Sequence, residues 1–136
     1  MRPLFFVTVL VAAAFAADRP ELNGSWQLSS NKEGKLKFEK LLIEQGPDSI
    51  KITESGAKDK PVNFTCGVSA QECKVAGGTI SFWYNGPALV MMESNHNKDL
   101  ITKTRIVPGN DGKTLDLEVT RLVPAGSSVT YTFMKQ

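Results

Sequence analysis

Apolar and polar residues alternate with a period close to two along most of the chain, and no stretch sustains apolar residues at helical spacing. The clearest alternation runs from Thr114 to Val123, where Leu115, Leu117 and Val119 share one face and Asp116, Glu118 and Thr120 share the other. Val129, Tyr131 and Phe133 repeat the pattern against Thr130 and Thr132, and Ile50 with Ile52, then Val62 with Phe64, do so earlier. Such strands are half-buried, with one face toward a core and one toward water. Turn residues separate them at Gly46-Pro47-Asp48, Ser55-Gly56, Gly77-Gly78, Asn85-Gly86-Pro87, Asn95 to Asn97, Pro108 to Gly112 and Pro124-Ala125-Gly126. The pattern predicts an all-β fold of about eight to ten strands, near 24–29, 36–45, 49–55, 61–66, 79–85, 88–94, 99–107, 113–123 and 127–135. An antiparallel up-and-down meander of this length leaves two bare edges if it stays flat, so closure into a barrel is the expected architecture. Two packed sheets, a β-sandwich, satisfy the same periodicity.

The first residues do not fit this pattern. Arg2 precedes an apolar run from Leu4 to Phe15, followed by Ala14-Phe15-Ala16, which is the layout of a secretory signal peptide over residues 1–16. The run is too short for the roughly 20 residues that a membrane-spanning helix needs, so no transmembrane anchor is expected after cleavage. Residues 17–136 then form one domain, placed in a secreted or periplasmic setting.

Across the whole chain, 16 Lys and Arg stand against 14 Asp and Glu, and neither sign gathers into a run, which argues against nucleic acid as a partner. Cys66 and Cys73 are the only cysteines, and an even count at loop spacing in an oxidising compartment reads as a disulfide. Two thiols and one histidine fall short of a closed zinc site, so no metal or cofactor is expected. That histidine, His96, sits in the polar stretch Ser94-Asn95-His96-Asn97-Lys98, which reads as a solvated hairpin tip, and no catalytic motif accompanies it.

Gly24-Ser25-Trp26 resembles the G-x-W signature that opens lipocalins and related calycin-type barrels, and here too it follows a leader and precedes a β meander. The resemblance implies a lipocalin-like barrel with Trp26 as a structural residue across its floor, under a guanidinium from Arg105 or Arg121. Thr65-Cys66 with Glu72-Cys73, Ser81 to Pro87, and Asp111 to Leu115 resemble segments of small exported bacterial barrels, which adds a fold and no activity. In the fatty-acid-binding branch two short helices follow the first strand; only Ser29 to Lys35 separates the first two predicted strands here, too few for that pair.

The densest apolar segments, Ile80 to Tyr84 and Ala88 to Met92, place Phe82, Tyr84, Leu89 and Met91 in one inward register, as core or as the wall of a ligand site. Glu54 and Glu93 continue inward registers, where a carboxyl can recognise a ligand's polar group or simply stay wet near a barrel mouth. Trp83, Val90 and Met92 fall on the opposite register and would form an outer apolar patch for a protein partner. These residues imply an exported, non-enzymatic protein that holds a small apolar or amphipathic ligand inside the barrel. A filled barrel acting through its outer face, as an envelope interaction module or inhibitor, is the alternative, and a hydrolase using paired carboxylates the third.

Overall fold

The fold is given by a computed structural model that describes residues 19–29, 36–56 and 60–136. The predicted leader, 1–16, lies outside the described residues. Ten antiparallel strands make one nearly closed barrel-shaped sheet, and no helix occurs among the described residues. The strands are β1 Gly24–Leu28, β2 Lys40–Gln45, β3 Ser49–Ser55, β4 Val62–Gly67, β5 Cys73–Val75, β6 Gly78–Asn85, β7 Ala88–Asn95, β8 Leu100–Pro108, β9 Thr114–Val123 and β10 Ser128–Lys135. Each pairs with its neighbour in sequence except across one place, and β1 pairs with β10, joining Trp26 opposite Lys135 and Leu28 opposite Phe133. That pairing of the first and last strands bends the meander into a barrel and removes both terminal edges.

The open seam lies between β4 and β5, the two ends of the strand order. No ladder joins them. The Cys66–Cys73 disulfide does, with Cα atoms 5.9 Å apart, and the connection after β4 folds back on β6, where Ala70 N–H donates to the Phe82 carbonyl at 2.9 Å. The expected pairing of the cysteines is therefore present, and it bridges two sheet edges in addition to closing a short loop.

Two glycines serve the closure. Gly24 adopts φ 134°, a region that L side chains rarely enter, where the chain turns into β1. At Gly78 a Cβ would lie 1.7 Å from the Ser94 carbonyl oxygen, so β6 can approach β7 closely only without a side chain. The core lies inside the barrel and is built from the inward positions of the strands, including Trp26, Leu41, Ile43, Ile50, Ile52, Phe82, Leu89, Ile106, Leu115 and Phe133, all buried.

Three expectations are corrected. The second strand begins at Lys40 and not at 36; Leu36 and Phe38 alternate like strand residues, but Phe38 leaves the sheet to stack on Phe133, ring centroids 6.0 Å apart. The first two strands are consequently separated by residues 29–39, a longer connection than expected, of which 30–35 lie outside the described residues. β5 was not expected at all. The cation over Trp26 is neither arginine but Lys135, whose Nζ lies 5.6 Å from the ring centroid because the β1–β10 register sets the two residues opposite each other.

Candidate functional site

One end of the barrel is shut by residues preceding β1. Leu22 is fully buried, and its carbonyl accepts the Trp26 indole N–H at 3.0 Å. Gln45, at the end of β2, binds this segment on both sides: its Oε1 accepts from Leu22 N–H at 2.6 Å, and its Nε2 donates to the Pro20 carbonyl and to the Tyr84 hydroxyl, each at 2.9 Å. Arg19 donates to the Gly46 carbonyl at 2.7 Å. A residue with two donors and an acceptor suits this place, because the strap presents a backbone N–H and a carbonyl, and the wall a hydroxyl, that need partners there.

The other end is a mouth formed by the ends of β3, β7 and β9, the starts of β4, β8 and β10, and the segment 36–38. A cavity of about 320 Å³ descends from it into the barrel, walled by Leu41, Ile52, Met91, Ile106, Leu117 and Val119, with Phe38 above. Its polar lining consists of Glu54, Glu93, Thr102 and Thr104, with the exposed Lys37 at the rim. Glu54 and Glu93 also line a wider opening of about 790 Å³ beside β4 and β5, so the cavity continues sideways toward the seam. The exposed Lys60 and Lys74 stand at that opening, and the exposed Arg121 lines a further recess on the β9–β10 side.

The register explains why these polar groups meet. Glu93 lies opposite Thr102 and Met91 opposite Thr104 across the β7–β8 ladder, all four on the inward parity, while Glu54 continues Ile50 and Ile52 on β3 across the barrel. Thr104 is only 4% exposed, and its hydroxyl has no hydrogen-bond partner among the described residues. Neither carboxylate has a hydrogen bond or ion pair among the described residues either. Burial raises the Glu54 carboxyl from the usual 4.5 to about 8, and the nearby Glu93 charge adds to the effect. Burial also raises Glu93. Both shifts favour the neutral acid, as expected where water is removed and nothing positive replaces it.

The inward residues suggested by the sequence thus separate by depth. Met91, Glu93 and Glu54 line the cavity. Phe82 and Leu89 are fully buried in the core beneath it, and Tyr84 is at the closed end, its hydroxyl bound to Gln45. The sequence reading passed over Thr102 and Thr104; their place on the inward parity of β8 was visible, but threonine is common in strands and gave no reason to single them out.

The outer register of β6 and β7 differs from expectation. Trp83 and Met92 are half-buried, and Val90 is fully buried despite its outward parity, flanked by Trp83 and Arg105 across the two ladders. The long side chains of its neighbours cover it, so Val90 offers nothing to an apolar patch. His96 is exposed in the β7–β8 turn, its N–H donating to the Gly77 carbonyl at 3.0 Å. Among the described residues no group of three His, Cys, Asp or Glu side chains converges to hold a metal ion, and no helix is long and apolar enough to cross a membrane.

No protein-family model matches the chain, and no curated protein is significantly similar to it in sequence. Solved structures do share its fold. The fluorescent protein UnaG superposes with a TM-score of 0.65 at 12% identity, over 85% of this chain and 97% of UnaG, and a point variant of UnaG does so at 0.64 and 13% identity, over 85% and 96%. Secretory abundant heat soluble protein 4 from Ramazzottius varieornatus gives 0.64 at 12% identity, over 84% and 94%. At these identities the likeness concerns the fold alone, a lipocalin-like β-barrel, which is the architecture that Gly24-Ser25-Trp26 implied.

Proposed function

We propose that the protein is an exported, non-enzymatic carrier that holds a small apolar or amphipathic molecule in the mouth half of its barrel. The observation that carries this reading is the cavity of about 320 Å³, with an apolar wall and a buried Thr104 hydroxyl that has no hydrogen-bond partner among the described residues. A buried hydroxyl without a partner costs roughly 1–3 kcal/mol, which a ligand or a water bound in the cavity recovers. Export is supported by the leader-like pattern of residues 1–16 and by a disulfide of the kind that persists in oxidising compartments.

Carboxylate-pair hydrolysis fits less well. An acid and an ionised partner must coexist in such a site, whereas burial raises both Glu54 and Glu93 and, among the described residues, no donor holds either one ionised.

Uptake of a neutral fluorescent probe, N-phenyl-1-naphthylamine, tests the reading. Met91→Trp fills the cavity and should abolish uptake, while the outward Glu118→Gln should leave it unchanged, with circular dichroism confirming that both variants fold. Uptake that persists undiminished in Met91→Trp would move the site elsewhere and overturn the reading. Native mass spectrometry of protein purified from its own host should show a mass increment from retained ligand.

A further inference from the structure

The cavity's polar side is acidic, although its rim is basic. Glu54 and Glu93 stand on opposite walls, and Thr102 and Thr104 add hydroxyls that can donate or accept. Among the described residues, the cations that face this region are on the outside: Lys37 at the rim, Lys60 and Lys74 at the sideways opening, and Arg121 at the β9–β10 recess, all exposed and none ion-paired with either carboxylate. Exposed ammonium and guanidinium groups are screened by water and salt, so they do little to neutralise acids set below them. Lys135, also on an inward parity, is committed to Trp26 at the opposite end.

We propose that the cavity selects small amphipathic amines, with the ligand's ammonium seated between Glu54 and Glu93 and its apolar body against Met91, Ile52, Ile106 and Leu117. The inference rests on the carrier reading and deepens it by naming the ligand's chemical class. An ammonium has three donors, which two carboxylates and a threonine hydroxyl can accept in charge-assisted hydrogen bonds. A fatty carboxylate in the same place would be a third acid in a cavity whose described lining holds no buried cation to keep it ionised. A neutral alcohol would gain hydrogen bonds but no charge pairing.

The proton account follows from the chemistry. A protonated amine that enters beside a neutral Glu54 makes the carboxylate the favoured form, so the Glu54 proton passes to the buffer while the amine keeps its own. Binding of an amine near neutral pH should therefore release protons, up to one per ligand, and binding of an alcohol should release none.

Displacement of N-phenyl-1-naphthylamine by decylamine, decanol and decanoate separates the possibilities at one chain length. Decylamine should bind at least tenfold more tightly than decanol, and decanoate should be the weakest of the three. Glu54→Gln with Glu93→Gln should bring decylamine to within threefold of decanol; if that double variant does not fold, the single Glu54→Gln should narrow the gap and reduce the proton release. Calorimetry of the wild-type protein in phosphate and in Tris reads that release from the difference in apparent enthalpy. Decanol equal to decylamine, or decanoate tighter than both, with the probe still bound, would overturn the amine inference and leave the carrier reading intact. Failure of the probe and all three competitors to bind would overturn both.

Discussion

Around Trp26 the barrel closes on polar groups that are engaged: the indole N–H reaches Leu22, and Gln45 satisfies Leu22, Pro20 and Tyr84 together. At the other end of the barrel, two carboxyls on opposite walls, Glu54 and Glu93, and the Thr104 hydroxyl have no partner among the described residues. The strands that supply both ends are the same. The difference is what lies over them: residues 19–23 strap the closed end and supply backbone partners, whereas among the described residues none partners the mouth's carboxyls or the Thr104 hydroxyl.

The sharpest way to break this comparison is to empty the closed end. Trp26→Ala removes a ring that is 1% exposed and should cost about 3–5 kcal/mol in denaturant unfolding, the range for emptying a large aromatic site. A loss below about 1 kcal/mol would show that the closed end is not where the stability resides.

The seam comes next. Cys66→Ser with Cys73→Ser frees β4 from β5 and should lower stability by about 2.5 kcal/mol, the chain-entropy value for so short a loop. Free-thiol titration of the denatured, unreduced protein should find no reactive thiol. Gln45→Leu should cost about 2 kcal/mol, because it strands Leu22 N–H and Pro20 carbonyl against an apolar side chain. Tyr84→Phe, which removes one of those contacts, should cost less.

Much of this molecule is legible in its sequence where the signal is local. Alternation at Leu115, Leu117 and Val119, and at Tyr131 and Phe133, reports directly which side chains enter the core, and the inward parity of Glu54 and Glu93 could be read the same way. What alternation cannot report is which strands come to face each other across a barrel. That Glu54 and Glu93 share one cavity depends on curvature, and that Lys135 covers Trp26 depends on the pairing of the first and last strands. Cys73–Val75 is too short for a period of two to register, and Val90 is buried by neighbours whose reach a binary pattern does not record.

The mouth's acids should leave a mark on pH dependence. Between the unfolded value of 4.5 and the native value of about 8, folded Glu54 keeps a proton that the unfolded chain has released. The unfolded state then binds fewer protons, so stability falls as pH rises through this window, by at most about 1.4 kcal/mol per pH unit for one group, and levels off on either side. Glu54→Gln should flatten most of the slope and be more stable than the wild type at pH 8, the residue of the slope belonging to Glu93. Urea midpoints from pH 4.5 to 8.5 measure this, and stability that climbed between pH 5 and 8 would contradict the burial of Glu54.

The smallest effect belongs to Thr104, and it separates the two ends most cleanly because its sign is opposite to that at Gln45. Thr104→Val replaces a hydroxyl by a methyl of nearly the same shape at a site that is 4% exposed. Where a buried hydroxyl is hydrogen-bonded, that exchange costs about 1 kcal/mol; where it has no protein partner, the desolvation penalty disappears with the group and the exchange is neutral or stabilising by up to about 1 kcal/mol. The ligand-free protein should therefore tolerate Thr104→Val or gain from it. The same variant saturated with a polar-headed ligand should lose part of the stabilisation that binding confers on the wild type, because the hydroxyl is then in use. A Thr104→Val protein that is destabilised by 1 kcal/mol or more without ligand would mean that the hydroxyl is already satisfied, by bound water or by the chain, and the contrast between a satisfied floor and an unsatisfied mouth would fail at the residue that states it most simply.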